Sequence, residues 1–408
     1  MVGGVFSFLA LYLVLMKILI ASDNYPPALG GAETTTYNLA AGLLALGHEV
    51  AVIAPGGSWW QSRVVDEAGV RVLRLHSYPL PVSTKQRLGW WPRRATRRFL
   101  DDFAPDVVQC NNPSWTTWVV LNYARVHGIP SVIGNHVMPE NYTFVIRRWP
   151  RVVRFLTPRL WRLLARFNNR ATRLACPSQT TVDYLTRAGL NIEASVISNG
   201  VDLEATHPAK DVKAVRKELG LGEVPLVLYV GRISPEKRLD VLVRAAAMAS
   251  TKAEFKVVMV GGSTVENTLP TLAHELGVEK RITFTGRVAA ELKLKYLQAA
   301  DVFVIPSPAE LQSIVTLEAM ACGKPVVAVN AGALPELVHP GKNGELFADG
   351  DATQLAGQIL ALLGDGDIRR RYGQAALATS AHHDIRQMPA HYLEVYENLV
   401  QTTEQKST

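Results

Sequence analysis

Cysteine is scarce. The 408 residues hold three, Cys110, Cys176 and Cys322, and none shares a CxxC or CxH spacing. That excludes a disulfide framework and a thiolate metal knuckle, and it points to buried thiols in a reducing compartment. Long apolar runs are scarce too. The first 15 residues, MVGGVFSFLALYLVL, fall short of the roughly 20 a transmembrane helix needs, and Lys17 follows at once. Their start carries no charge and no small-residue cleavage site follows, so a signal peptide fits poorly. Met16 is read as the natural start, with residues 1–15 an apolar upstream extension. No second stretch could span a bilayer. GxGxxG is absent, and so is the acid expected on a dinucleotide ribose, which counts against a nicotinamide cofactor. No short-period repeat is present.

What the chain has is length and apolar content. At 48% hydrophobic and 19% charged residues it reads as globular, long enough for two domains. Short β-branched runs alternate with helical patterns: KILIAS (17–22), EVAVIAP (49–55), VRVLRL (70–75), DVVQCN (106–111), PSVIGN (130–135), RLACPS (173–178) and ASVISNG (194–200). A second series follows, with PLVLYVG (225–231), FKVVMVGG (255–262), RITFTG (281–286), DVFVIPS (301–307), KPVVAVN (324–330) and GELFA (344–348). Near-continuous hydrophobicity marks strands buried on both faces, as in parallel sheets. The expectation is an α/β protein of two doubly wound, Rossmann-like domains, with a seam near NGVDLEATHPAK (199–210). Ligands in such sheets sit beyond the carboxyl ends of the strands.

The loops leaving those ends carry the chemistry. After the first strand comes SDNYPPALGGAETTT, where Gly30 and Gly31 let backbone amides approach a ligand at a helix start; a tight turn is the plainer reading. YVGRISPEKRLDVLV (229–243) places Arg232 and Lys237 at a strand end, suited to neutralise a diphosphate, although Glu236 and Asp240 could pair with them. SPAELQSIVTLEAMACGKPVVA (307–328) holds two carboxylates eight positions apart, with no basic residue between. Glu310 falls in the loop and aims into the crevice. The helix starts near Ser313, so the amides of Ser313, Ile314 and Val315 offer an anion site. Glu318, about one turn in, could accept two ribose hydroxyls. An anion flanked by polyols describes a nucleoside diphosphate sugar. Asp349-Gly-Asp351 and Asp365-Gly-Asp367 have DxD spacing, but each precedes a helical pattern and reads as a turn and N-cap. No metal is expected.

The E-x7-E segment with AMACGKPVVA, GRISPEK upstream and Gly-Gly after the first strand resembles the retaining glycosyltransferases of family four, which have the GT-B fold. The resemblance runs in order over nearly the whole chain from Met16. It implies that Arg232 and Lys237 hold the diphosphate, that Glu310 contacts the donor sugar and that Glu318 contacts the ribose. NHVMPEN (135–141) resembles the segment carrying the family's active-site histidine, here His136. It also resembles the branch that glycosylates diacylglycerol-type lipids. Ser313 stands where the family more often has Gly. The implied layout is an acceptor-binding domain over 16–205 and a nucleotide-sugar-binding domain over 206–380. A C-terminal helix within 381–408 would pack back toward the first domain and end in a polar tail. The donor expected is UDP-glucose over GDP-mannose. No cofactor is expected.

Net charge is +7, concentrated in residues 85–98 and 144–173. Arg147, Arg148, Trp149, Arg151 and Arg154 begin a basic, aromatic surface suited to anionic lipid headgroups, with Pro150 and Pro158 expected to break it into short helices. The reading is an enzyme peripheral on the cytoplasmic face of a membrane, with a lipid or lipid-linked acceptor. A soluble glycosyltransferase remains the alternative. A nucleic-acid-binding protein is the remote one, since no base-reading motif is present.

Overall fold

The computed structural model describes residues 15–23, 25–26, 31–56, 61–80, 83–89, 93–143, 149–263 and 268–407. Sixteen strands are β1 (Lys17–Ser22), β2 (Glu49–Pro55), β3 (Arg63–Glu67), β4 (Val70–Leu75), β5 (Ser77–Leu80), β6 (Ser83–Gly89), β7 (Val107–Asn111), β8 (Ser131–Gly134), β9 (Arg173–Cys176), β10 (Glu193–Val196), β11 (Leu226–Val230), β12 (Lys256–Val260), β13 (Ile282–Gly286), β14 (Val302–Ile305), β15 (Val326–Val329) and β16 (Gly344–Phe347). Ten of them lie in the first half of the chain. Eight of those ten form one sheet in the order β10-β9-β8-β7-β1-β2-β4-β3, and β11 to β16 form another in the order β13-β12-β11-β14-β15-β16. The architecture is two Rossmann-like α/β folds.

Every pairing in the second sheet is parallel. Its central strands β11 and β14 are buried along their whole length, which explains why they read as unbroken apolar runs. Around β1 the pairing is likewise parallel, to β2 and β7. The exceptions were not foreseen. β3 runs antiparallel to β4 at the sheet edge, and β5 and β6 form a separate antiparallel hairpin. Most β3 side chains face solvent, so its apolar signal is weak.

Two compact units divide the chain. One reaches to Val132 and includes Tyr396 onward; the other runs from Ile133 to Val395. Within the first, Tyr396 on the helix Met388–Ser407 donates from its buried hydroxyl to Gln109 Oε1 on β7 at 3.0 Å. Helix ends follow local chemistry. Ser114 forms a capping box with Thr117 at the start of Trp115–His127, satisfying amides the helix itself cannot.

Candidate functional site

In the second sheet the chain runs from β11 to β12 and β13 on one side, then crosses to β14, β15 and β16 on the other. The strand order therefore reverses between β11 and β14, the place beyond whose carboxyl ends sheets of this kind bind ligands. The loops that carry Arg232, Lys237, Glu310 and Ser313 leave those two strands.

The structure brings Lys237 and Glu310 together. Lys237 Nζ donates to Glu310 Oε1 at 2.7 Å, with side chains 15% and 13% exposed. Arg232 is oriented by Glu236, whose Oε1 lies 3.3 Å from Nη2; Glu236 is buried and Arg232 more than half exposed. Glu236 Oε1 also accepts from Ser234 Oγ at 2.5 Å. Below them, buried Tyr229 donates to the Arg232 carbonyl at 2.9 Å. Burial, then the charges of Glu310 and Glu236, push its phenol well above its ordinary pKa, so it stays a donor. Position 332 must be glycine. Its φ is +57°, and a Cβ there would sit 2.7 Å from the Glu310 carbonyl, which accepts from the Ala333 amide at 2.9 Å.

Buried Ser313 is the N-cap of the helix Ile314–Ala321, and its side chain makes no capping bond. Its carbonyl accepts from the amides of Thr316 and Leu317 at 3.1 and 3.2 Å. The amides of Ile314 and Val315 precede these bonds and are left for another partner. Glu318 is not alone: Lys293 Nζ, from the helix Ala290–Ala299, lies 2.7 Å from Oε1. Its Oε2 is buried with no protein partner. Lys293 and Tyr229 are the residues that sequence reasoning missed. A cation 25 positions before Glu318 and a tyrosine inside an apolar strand carry no local signal.

His136 leaves the end of β8. Burial holds its imidazole at about 4, below the ordinary 6.5, so it is neutral at pH 7. Gly31 opens the helix Gly31–Ala45; Gly30 lies outside the described residues, as do Arg147 and Arg148. Asp351 and Asp365 are helix N-caps, each accepting from two amides. Among the described residues no cluster of His, Cys, Asp and Glu could hold a metal ion. In the other unit, burial holds Asp23, at the end of β1, above its ordinary pKa.

The proline expectation fails. Pro150–Asn168 is one 19-residue helix. Pro150 takes the first turn, where an amide is unpaired anyway, and the helix continues through Pro158, despite the bond a proline removes, while burying Trp161, Leu164 and Ala165. Trp149, Val152, Phe155 and Leu163 are exposed, as are Arg151 and Arg154. Among the described residues no ion pair involves Arg151, Arg154, Arg162 or Arg166. No described helix is long and apolar enough to cross a membrane.

A family model described as "Glycosyl transferases group 1" matches residues 211–379, and one described as "Glycosyltransferase Family 4" matches 29–205. The sulfoquinovosyl transferase SQD2 of Arabidopsis thaliana is 29% identical over 78% of this chain, which spans 61% of that protein's length. A GDP-mannose-dependent alpha-mannosyltransferase of Mycolicibacterium smegmatis is 29% identical over 88% of this chain and 92% of its own. The alpha-monoglucosyldiacylglycerol synthase of Acholeplasma laidlawii is 28% identical over 81% and 85%. Among solved structures, the Anabaena protein HepE in complex with UDP and glucose has a TM-score of 0.72 at 23% identity, over 94% of this chain and all of that one.

Proposed function

The chain belongs to the glycosyltransferases of family four with the GT-B fold, and on that premise we propose that it moves a hexosyl group from UDP-glucose to a membrane lipid or lipid-linked acceptor. The anomeric configuration is kept and no divalent metal takes part. The observation that carries this reading is the convergence of Lys237, Arg232 and two unpaired helix amides where the strand order reverses. Negative charge grows on the diphosphate as the C1–O bond breaks, and these fixed donors stabilise it.

Glu310 neutralises Lys237 while the site is empty. When the donor enters, the ammonium turns two of its three protons to the diphosphate, and Glu310 is released to a sugar hydroxyl. Glu318 accepts a ribose hydroxyl at Oε2 while Lys293 occupies Oε1. His136, being neutral, acts on the sugar through hydrogen bonds rather than charge. Residues 16–205 serve the acceptor and 206–380 the donor. The exposed face of the helix Pro150–Asn168 rests on the cytoplasmic leaflet, supported by its unpaired arginines and by the diacylglycerol-type product named for the Acholeplasma relative.

The test supplies UDP-glucose or GDP-mannose with liposomes containing or lacking diacylglycerol, in EDTA. Nucleotide release is followed, and the product anomer is read by proton NMR. UDP release that requires the lipid, with an α-linked product, is the expected result. Transfer from GDP-mannose alone favours the mannosyltransferase likeness. Transfer to a water-soluble acceptor without liposomes, or a requirement for manganese, contradicts the lipid or the metal-free part of the proposal.

A further inference from the structure

We propose that Gln312 is a positioning residue of the donor site: its side-chain amide fixes the backbone that presents the Ile314 and Val315 amides. This rests on the donor reading of that helix start.

Both ends of the Gln312 amide are used, and by one short segment. Oε1 accepts from the Asn199 amide at 2.8 Å, and Nε2 donates to Ser198 Oγ at 2.9 Å. The orientation follows from hydrogen-bond accounting. The Asn199 N–H can only donate, so Oε1 must face it. Ser198 Oγ accepts from Gln312 and also from the Gly200 amide at 3.1 Å. Its own proton is then left for His383 Nδ1, 2.9 Å away, which must be bare, as in a neutral imidazole. Burial, with neighbouring His382, lowers the His383 pKa in the same sense.

The segment that Gln312 grips is itself immobilised. The Val201 amide donates to the His383 carbonyl at 2.7 Å, and the Ile385 amide donates to the Val201 carbonyl at 3.0 Å. Gly200 has φ +74°, and a Cβ there would lie 2.5 Å from Ile385 Cα, so no other residue fits. The donor loop is thus held at Glu310 by Lys237 and Ala333 and at Gln312 by residues 198–199. Only Ser313 separates Gln312 from the two unpaired amides. A cavity of about 250 Å³, lined by Gln312, Ser198, Glu336, His382, His383 and His391 among others, adjoins the side chain. Truncation therefore enlarges an existing cavity rather than opening a void in a packed core, and the fold should tolerate it.

UDP and GDP are titrated calorimetrically into wild type, Gln312→Ala, Ser198→Ala and the double variant, with melting temperatures and steady-state constants measured on each. Gln312→Ala is expected to weaken nucleoside diphosphate binding and raise the donor KM about tenfold, the scale of one or two neutral hydrogen bonds. The acceptor KM and melting temperature should hold. Ser198→Ala, which removes one of the two Gln312 bonds together with the Ser198 contacts to Gly200 and His383, should weaken binding at least about threefold, and the double variant should fall short of the product of the two single effects. Gln312→Glu keeps the acceptor for Asn199 and should fall between wild type and Ala. Donor KM unchanged in Gln312→Ala overturns the proposal, as does a donor KM rise accompanied by a lowered melting temperature and a raised acceptor KM. Lys237→Ala and Glu318→Ala separate the two failures. If they too leave nucleotide binding intact, the donor reading falls with the proposal; if they weaken it and Gln312→Ala does not, the positioning role alone fails.

Discussion

Lys237 and Glu310 form a pair in which each neutralises a charge the other would otherwise bury. Removing either leaves its partner uncompensated and, on the proposed donor reading, takes a donor or acceptor from the transition state. Glu310→Ala and Lys237→Ala should each lower turnover at least about tenfold, or about 1.4 kcal/mol of transition-state stabilisation, measured as kcat at saturating donor. Glu318 differs, because the ribose contact proposed for it would be equal in ground and transition states. Glu318→Ala should raise the donor KM with kcat nearly unchanged; a normal donor KM removes it from the ribose site. His136 gives a sign that can be checked. Its folded value of about 4 lies below the ordinary 6.5. The unfolded chain therefore takes up a proton between those values that the folded chain refuses. Stability contributed here is complete above pH 6.5 and is lost as pH falls toward 4. An NMR titration of the His136 ring should show no inflection between pH 5.5 and 8, roughly the span where an unperturbed histidine titrates. A midpoint near 6.5 would mean the ring is solvated.

At the scale of elements, the parallel strands were legible because burial on both faces leaves them few polar positions to interrupt the pattern. The site loops were legible for a related reason. Arg232, Lys237, Glu310 and Glu318 are charges beside apolar runs, and strand ends fix where loops begin. β3 escaped notice because an exposed edge strand needs little hydrophobicity, and Lys293 because ion pairing across 25 residues leaves no local trace. The helix Pro150–Asn168 was misread because proline penalties are local while burial of Trp161, Leu164 and Ala165 is tertiary. Its outer face yields a prediction. Each arginine near an anionic leaflet contributes about 1 kcal/mol, fading within a Debye length. Replacing Arg151, Arg154 and Arg162 with serine should weaken flotation with phosphatidylglycerol liposomes by up to about a hundredfold. High salt should do the same to wild type. Undiminished flotation at low salt would assign these arginines to another partner.

Across the whole molecule, the same topology occurs twice. In the first sheet the order turns between β1 and β7, as it turns between β11 and β14 in the second. Asp23 stands at the first turn as Arg232 and Glu310 stand at the second. The excess of positive charge, +7 overall, favours approach to an anionic surface and to an anionic donor alike. Which strands turn where could not be read from the sequence, since strand order depends on crossovers that leave no mark in composition.

The most direct measurement is amide hydrogen exchange with and without saturating UDP, resolved to short peptides. A diphosphate bound at the β11–β14 turn accepts from the Ile314 and Val315 amides and lies against Arg232 and Lys237. Exchange should therefore slow in peptides covering 231–238 and 312–318, and Lys237→Ala should abolish that slowing. Protection confined to residues 31–132, or none in the 312–318 peptide while UDP is shown to bind, would contradict a donor site at this helix start.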